Sequence, residues 1–356
     1  MASVAIRRLS KVFDGGVQAL HHLDLDVPDG ELLVLLGPSG SGKSTVLRCI
    51  AGLEEPTTGD VVIGERNVTQ LPPAERDVAM VFQTPALYPH LTVRENIAFP
   101  LELRGVTRAQ IARRVTEAAQ RLGIQAVLDR APDQLSEGER QRAALARAIV
   151  RGPQAFLLDE PLSRLDAKLR IELRGELLAL HRALAATMIY VTHDQTEAMT
   201  MGQRIGVLHE GRLRQVGTPA EVYQTPADVY VARFIGTPGM NVLPGRARAG
   251  EGGEGRVVEA GSLTIPLELS TYDGELQLGV RPEFVGLCAV DKGVGNADVL
   301  VVEPLGSETL VHLNAGGHPL VARLAGFADV RVGTRVGVKV DRRKLYLFDA
   351  AGAPVG

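Results

Sequence analysis

The chain has 356 residues, 45% hydrophobic and 23% charged, which at ~150 residues per domain suggests two or three globular domains and excludes wholesale disorder. Its 39 Lys and Arg against 42 Asp and Glu leave a net charge of -3, which argues against a generally basic nucleic-acid binder. Two cysteines, Cys49 and Cys288, cannot build a disulfide framework and fit a reducing compartment.

Met1 to Lys11 alternates apolar and basic residues without the apolar core of a signal peptide. No apolar run approaches the ~18–20 residues of a membrane span. The first thirty residues read as β-structure. Leu23, Leu25 and Val27 alternate with Asp24 and Asp26, as in a strand with one face in water. Leu32 to Leu36 is continuously apolar, which predicts a strand buried on both faces of a parallel sheet. Similar runs recur at Val78 to Phe82, Ala155 to Leu158 and Ile189 to Thr192. Helical patterns at Thr107 to Leu122 and Glu139 to Val150 separate them, giving an α/β core. Ile205 to Val216 reads as a hairpin around His209-Glu210-Gly211.

Near residue 236 the texture changes. Gly245 to Gly255 reads as a loop. Short strands are expected at Val299 to Val302, Thr309 to Leu313, Arg335 to Val340 and Leu345 to Phe348. This predicts a small all-β domain of barrel or sandwich type. His312 and His318 read there as isolated polar residues rather than metal ligands.

Gly37, Pro38, Ser39, Gly40, Ser41, Gly42, Lys43 and Ser44 match G-x-x-x-x-G-K-[ST] in full. A buried strand precedes the loop, and a helix-like segment from Thr45 to Ala51 follows it. Backbone N–H groups of such a loop converge on phosphate oxygens. Lys43 is expected at the β- and γ-phosphates and the Ser44 hydroxyl on Mg²⁺. Cys49 reads as a small packing residue of the helix. Phe156-Leu157-Leu158 ends in two carboxylates. Asp159 is assigned to the Mg²⁺ shell and Glu160 to the attacking water.

Four further motifs complete an order. Gln83 ends the strand Val81-Phe82-Gln83, and Leu135-Ser136-Glu137-Gly138-Glu139 precedes the acidic strand. Ser163-Arg164-Leu165-Asp166 and Val191-Thr192-His193-Asp194 follow it. The order resembles the ATP-binding cassette ATPases over residues 3 to about 235. The fold this implies is α/β: a P-loop cassette with antiparallel β and helical subdomains, the latter at about 86–150. A small all-β OB-like regulatory domain would follow, with domains at 1–235 and 236–356.

The resemblance implies an ATPase that binds ATP and Mg²⁺, with Gln83 beside Ser44 and Asp159 at the metal. His193 would bond the γ-phosphate, and the phosphate-loop residues from Gly37 to Thr45 would hold nucleotide. Phe13 matches the aromatic that stacks on adenine. Two cassettes of the family pair head to tail, so Ser136 and Gly138 would meet ATP across a homodimer interface that Asp166 also crosses. The family signature is L-S-G-G-Q; here Glu137 and Glu139 replace Gly and Gln. Ser136-x-x-Glu139 also reads as a capping box. Extra negative charge beside ATP implies weaker nucleotide-driven dimerisation.

Phe82 to Val93 resembles the Gln-loop region of binding-protein-dependent importers, with Thr84-Pro85 departing from the common Ser-Tyr. Phe234 to Asn241 and Gly279-Val280-Arg281-Pro282-Glu283 resemble ATPases of maltose and glycerol-3-phosphate importers. The implied partners are two transmembrane permease subunits and an extracytoplasmic solute-binding protein. The implied place is peripheral, on the cytoplasmic face of the membrane. Polyamine, ferric iron and sulfate importers share the layout. A soluble cassette acting on nucleic acid or ribosomes is the rival from another class; no nucleic-acid partner is expected, because the tail lacks a basic, aromatic-interleaved stretch.

Overall fold

The apolar run Leu32–Leu36 forms a strand with all five residues buried. In this computed structural model, residues 2–249, 256–267 and 272–355 are described, and the chain divides into two compact units, Met1–Pro219 and Ala220–Gly356.

In chain order the first unit holds β1 (Val4–Val12), β2 (Gln18–Val27), β3 (Leu32–Leu36), α1 (Lys43–Ala51), β4 (Thr58–Ile63), β5 (Arg66–Asn67) and β6 (Val78–Val81). Then come α2 (Val93–Glu102), α3 (Arg108–Arg121), α4 (Glu137–Val150), β7 (Ala155–Asp159), α5 (Ala167–Leu184), β8 (Met188–Thr192), α6 (Gln195–Met201), β9 (Arg204–His209) and β10 (Arg212–Gly217). Six strands run in the order β10-β9-β3-β8-β7-β6, all neighbours parallel except the β9–β10 hairpin. Every residue of β3, β7 and β8 is buried, as a parallel sheet covered on both faces requires. A second sheet, β2-β1-β4-β5, is antiparallel and alternates buried with exposed residues. Leu23, Leu25 and Val27 of β2 share a core with Leu33, Leu35 and Val46. Helices α2, α3 and α4 pack on one another. The carboxyl ends of β3, β7 and β8 thus lead straight into the loop before α1, Glu160 and His193. Open α/β sheets bind ligands at those ends.

The second unit is β-rich. α7 (Pro219–Gln224), which starts at the division, and α8 (Val229–Phe234) precede β11 (Asn241–Ala249), β12 (Arg256–Ala260), β13 (Leu263–Leu267), β14 (Gly274–Val280) and β15 (Val285–Cys288). β16 (Gly295–Pro304), β17 (Glu308–Ala315), β18 (His318–Ala325), β19 (Arg335–Val340) and β20 (Leu345–Phe348) complete it. The strand order is β15-β19-β16-β13-β12-β11-β14-β20, with β17 between β16 and β18. Leu243, Val258, Ile265, Leu278, Val311, Leu313 and Val338 fill its core.

Two expectations change here. The loop read at 245–255 is, up to Ala249, part of β11; residues 250–255 lie outside the described residues. Leu243, Gly245 and Ala247 share the inward-facing row of β11, and a Cβ at Gly245 would meet the Glu259 carbonyl oxygen at 2.7 Å. The glycine therefore marks close backbone approach within a strand, not a turn. The units also part before the composition shift at 235/236, so 220–235 pack with the second unit. Ala232 of α8 packs with Met240 and Phe348, and a polar anchor is Arg281, which has no exposed surface. Its Nη1 donates to the Ile235 carbonyl at 2.8 Å, its Nη2 donates to the Tyr223 carbonyl, and its guanidinium lies 3.6 Å from the Tyr223 ring centroid. Tyr223 Oη donates to Glu283 Oε1 at 2.5 Å; burial first, and then this carboxylate, push the phenol up to about 12.

Candidate functional site

The loop from Gly37 to Gly42 turns off β3 into α1, and its shape depends on absent side chains. A Cβ at Gly37 would lie 2.2 Å from the Leu208 carbonyl oxygen, and Gly42 has φ +101° with the Ala19 carbonyl oxygen 2.8 Å from its would-be Cβ. Gly42 is also the N-cap of α1. No side chain caps that end and no acidic residue sits in the first turn. Its first N–H groups therefore remain available, in a field that favours an anion. Ser41 is buried, and its Oγ has no hydrogen-bond partner among the described residues. An open helix end, an unsatisfied hydroxyl and a glycine-shaped loop fit a phosphate group.

The charged groups converge on the same place. Lys43 is 4% exposed, and its Nζ donates to the carbonyls of Gly37 and Pro38 at 2.9 Å each. Burial lowers its pKa, opposed by the charges of Glu160 and Asp159. Ser44 Oγ donates to Asp159 Oδ1 at 2.7 Å. Burial raises the Asp159 pKa, and the Ser44 hydrogen bond only partly offsets it. A buried carboxylate held above its ordinary range is a group that a cation would relieve. Ser44 and Asp159, an oxygen pair of hard character, suit Mg²⁺.

Glu160 follows β7 with φ +45°, a left-handed conformation that is unusual for a residue with a side chain. Its N–H donates to the Val191 carbonyl of β8 at 3.0 Å, which fixes it beside the next strand end. His193 Nδ1 lies 3.1 Å from Glu160 Oε2. Gln83 Nε2 donates to the same oxygen at 3.4 Å and to Ser163 Oγ at 3.3 Å. The structure thus gathers Lys43, Ser44, Gln83, Asp159, Glu160 and His193. Ser163 belongs to the cluster as well, and the sequence reading gave it no role.

The signature residues form a separate group. Ser136 caps α4 in a reciprocal capping box: its Oγ and N–H donate to Glu139 Oε2 at 2.7 and 2.8 Å, and the Glu139 N–H donates back to Ser136 Oγ. These bonds hold the Glu139 carboxyl below its ordinary pKa. Glu137 pairs with Arg140 at 2.8 Å. A Cβ at Gly138 would meet Leu169 Cδ2 of α5 at 2.8 Å, and Asp166 caps α5 through the N–H groups of Lys168 and Leu169. Among the described residues, no hydrogen bond or ion pair joins Ser136, Gly138 or Asp166 to the phosphate loop. Phe13 sits in the β1–β2 turn, half-buried, with Lys11 Nζ 5.0 Å from its ring centroid.

Residues 20–163 match the ABC transporter family and residues 278–348 the TOBE domain. The chain is 47% identical to the sn-glycerol-3-phosphate import ATP-binding protein UgpC of Cupriavidus pinatubonensis, over 98% of each chain. It belongs to the ABC transporter family. It is 49% identical to the trehalose/maltose import ATP-binding protein MalK of Thermococcus litoralis, again over 98% of each. Among solved structures it resembles a dimeric ATP-binding cassette in a post-hydrolysis state with ADP and Pi, at 31% identity and a TM-score of 0.56, over 61% of this chain and 98% of that one. As an ABC ATPase, the chain has an α/β cassette followed by a β-rich TOBE, or OB-like, domain. No helix among the described residues is long and apolar enough to cross a membrane.

Proposed function

We propose that this ABC ATPase energises the uptake of a sugar, polyol or glycerol phosphate through membrane permease partners, at the cytoplasmic face of the membrane. The observation that carries the reading is the polar cluster opposite the uncapped N-terminus of α1: Lys43, the Ser44–Asp159 pair and the Glu160–His193 pair. Near-complete coverage by glycerol-3-phosphate and trehalose/maltose import subunits supports the substrate class.

The phosphates of ATP lie along the loop from Gly37 to Thr45, and Lys43 leaves its two carbonyls to neutralise the charge that develops on them. Ser44, Gln83 and Asp159 would hold Mg²⁺, which supplies further neutralisation of phosphate charge when bound. Glu160, kept beside β8 by its own N–H, orients the attacking water and accepts its proton. His193, in contact with that carboxylate, holds the γ-phosphate end of the site. Phe13 offers a π-face to the adenine. Two copies meet head to tail, so that Ser136, Gly138 and Asp166 of one face the nucleotide of the other.

A groove of about 410 Å³ is lined by Phe82, which precedes Gln83 in the chain, and by Tyr88, Phe99, Leu103 and Arg147. Leu103 is 75% exposed, and Arg147 lies over the Tyr88 ring at 5.5 Å. A cytoplasmic helix of a permease docks there, and an extracytoplasmic solute-binding protein delivers the cargo.

The test is reconstitution. The chain, co-purified with its permeases in vesicles, should hydrolyse ATP faster when a binding protein and a sugar or glycerol phosphate are added. Stimulation only by polyamine, ferric iron or sulfate would overturn the substrate class. Purification with ribosomes or DNA in place of permeases would overturn transport itself.

A further inference from the structure

Glu197 is a carboxylate on α6 with 3% of its surface exposed, and no step so far uses it. Its Oε2 accepts the hydroxyls of Tyr190 at 2.8 Å and Thr192 at 2.7 Å, both from the last three residues of β8. Thr192 Oγ1 in turn accepts the N–H of Asp194 at 3.0 Å. The one hydroxyl therefore grips the backbone on the far side of His193 while donating to Glu197. Asp194 Oδ1 accepts from the N–H groups of Thr196 and Glu197, and its Oδ2 pairs with Arg170 Nη1 at 3.3 Å. Among the described residues, the side chains of Thr192 and Asp194 thus bond within the segment, to α6 and to α5, while the Thr192 backbone pairs with β3. The His193 side chain, 53% exposed, is left pointing the other way, to Glu160. Burial and the Glu197 charge hold the Tyr190 phenol well above its ordinary pKa, so it remains a donor to the carboxylate.

We propose that Glu197 is a positioning residue for His193: through Thr192 and Tyr190 it fixes the turn that aims the imidazole at Glu160. The argument is geometric. A buried hydrogen-bond acceptor that takes two hydroxyls leaves both unsatisfied when it is removed, and the Thr192 hydroxyl is then free to rotate away from Asp194. A displacement of about 1 Å in a reacting group is worth about 10²-fold in rate. An apolar side chain would fill the same space beneath the sheet, so packing alone does not call for a carboxylate at this position.

The inference rests on the assignment of His193 to the hydrolytic site, and the experiment separates the two. In the full-length chain, Glu197→Ala should lower kcat for ATP about 30-fold, with KM within about 2-fold. Glu197→Gln keeps an acceptor oxygen and should return kcat to within about 5-fold of the parent. Thr192→Val should reproduce most of the Glu197→Ala loss. In a His193→Ala background, Glu197→Ala should have no further effect, because it acts through the ring already removed. Multiplying losses in the double variant, or a loss of kcat that follows the melting temperature across the series, would overturn the proposal. A His193→Ala variant with parental turnover would sink the role of His193 itself, whatever Glu197 does. A readout without turnover is the ¹⁵N spectrum of the His193 ring. The parent should show Nδ1 protonated, and Glu197→Ala should show tautomer averaging with Glu197→Gln restoring the parent pattern. An unchanged ring spectrum in Glu197→Ala would also overturn it.

Discussion

Two helices of the cassette start in opposite ways. α1 opens on Gly42, with no capping side chain and no acidic residue in its first turn. α4 opens on Ser136, with a complete capping box and both Glu137 and Glu139 in its first turn. The first end is left for a ligand to satisfy; the second is satisfied from within. The proposed phosphate site thus rests on withholding the ordinary helix cap and shaping the loop with glycine. At α4 the side chain that would meet nucleotide across a dimer is already committed to its own helix. The two ends also differ in what surrounds them. The α1 end faces a buried lysine and strand-end carboxylates, whereas the α4 end packs on Leu169 and is partly in water.

The contrast can be broken, and the largest effect lies beside the open end. Glu160→Gln should lower kcat by about 10²–10⁴-fold while ATP binding persists, since the amide keeps the contact geometry but accepts no proton; single-turnover kinetics and an equilibrium binding titration read the two halves. Gly42→Ser offers α1 the cap it lacks. The new side chain meets the Ala19 carbonyl in a left-handed backbone, so ATP affinity should fall by about 10-fold or more, and stability by about 1–3 kcal/mol. Isothermal titration and a denaturant melt check both.

Asp159→Asn sharpens the comparison through pH. The folded-state pKa of Asp159 is raised, so the native protein binds this proton more tightly than the unfolded chain, and ionisation disfavours folding as pH rises through that window. The nucleotide-free Asn variant should therefore melt slightly above the parent at neutral pH. The difference should vanish below the carboxylate range, and Mg²⁺-dependent ATP binding should be lost. Glu139→Gln is the smallest. The Glu139 pKa is lowered by Ser136, so its contribution is present above the unfolded value and is lost as pH falls through the folded one. A Gln keeps the capping box without that pH dependence. The variant should leave the neutral-pH melt nearly unchanged and strengthen ATP-driven dimerisation modestly, as read by light scattering. An unchanged nucleotide dependence would mean that the closed end of α4 is electrostatically indifferent to ATP.

Much of this contrast is legible in the amino-acid sequence itself. Leu32 to Leu36, Ala155 to Leu158 and Ile189 to Thr192 announce strands covered on both faces because they contain almost no polar residue, and the phosphate loop carries its backbone requirement in its glycines. Ser136 and Glu139 declare the capping box by spacing alone. The helix α5 was harder. Leu173, Leu177 and Leu180 repeat at helical spacing after the Asp166 cap, but Ile171 on the exposed face blurs the stripe. Glu197 had no signal of its own: a glutamate in the first turn of a short helix reads as a surface residue favouring the helix dipole. Its burial depends on Tyr190 and Thr192 presenting hydroxyls from a strand, and that juxtaposition is tertiary. Gly245 misled for a related reason. A glycine demanded by a neighbouring carbonyl is indistinguishable in sequence from one demanded by a turn.

Arg281 sets where the chain can be cut. A fragment beginning at 236 keeps every strand of the β-rich unit yet discards the carbonyls of Tyr223 and Ile235 and the Tyr223 ring, stripping the Arg281 guanidinium of the acceptors and the aromatic face that hold it in the full chain. A fragment beginning at 220 retains them. The longer piece should express as a cooperatively melting domain and the shorter one as an unstable product, although the residues between them contribute no strand.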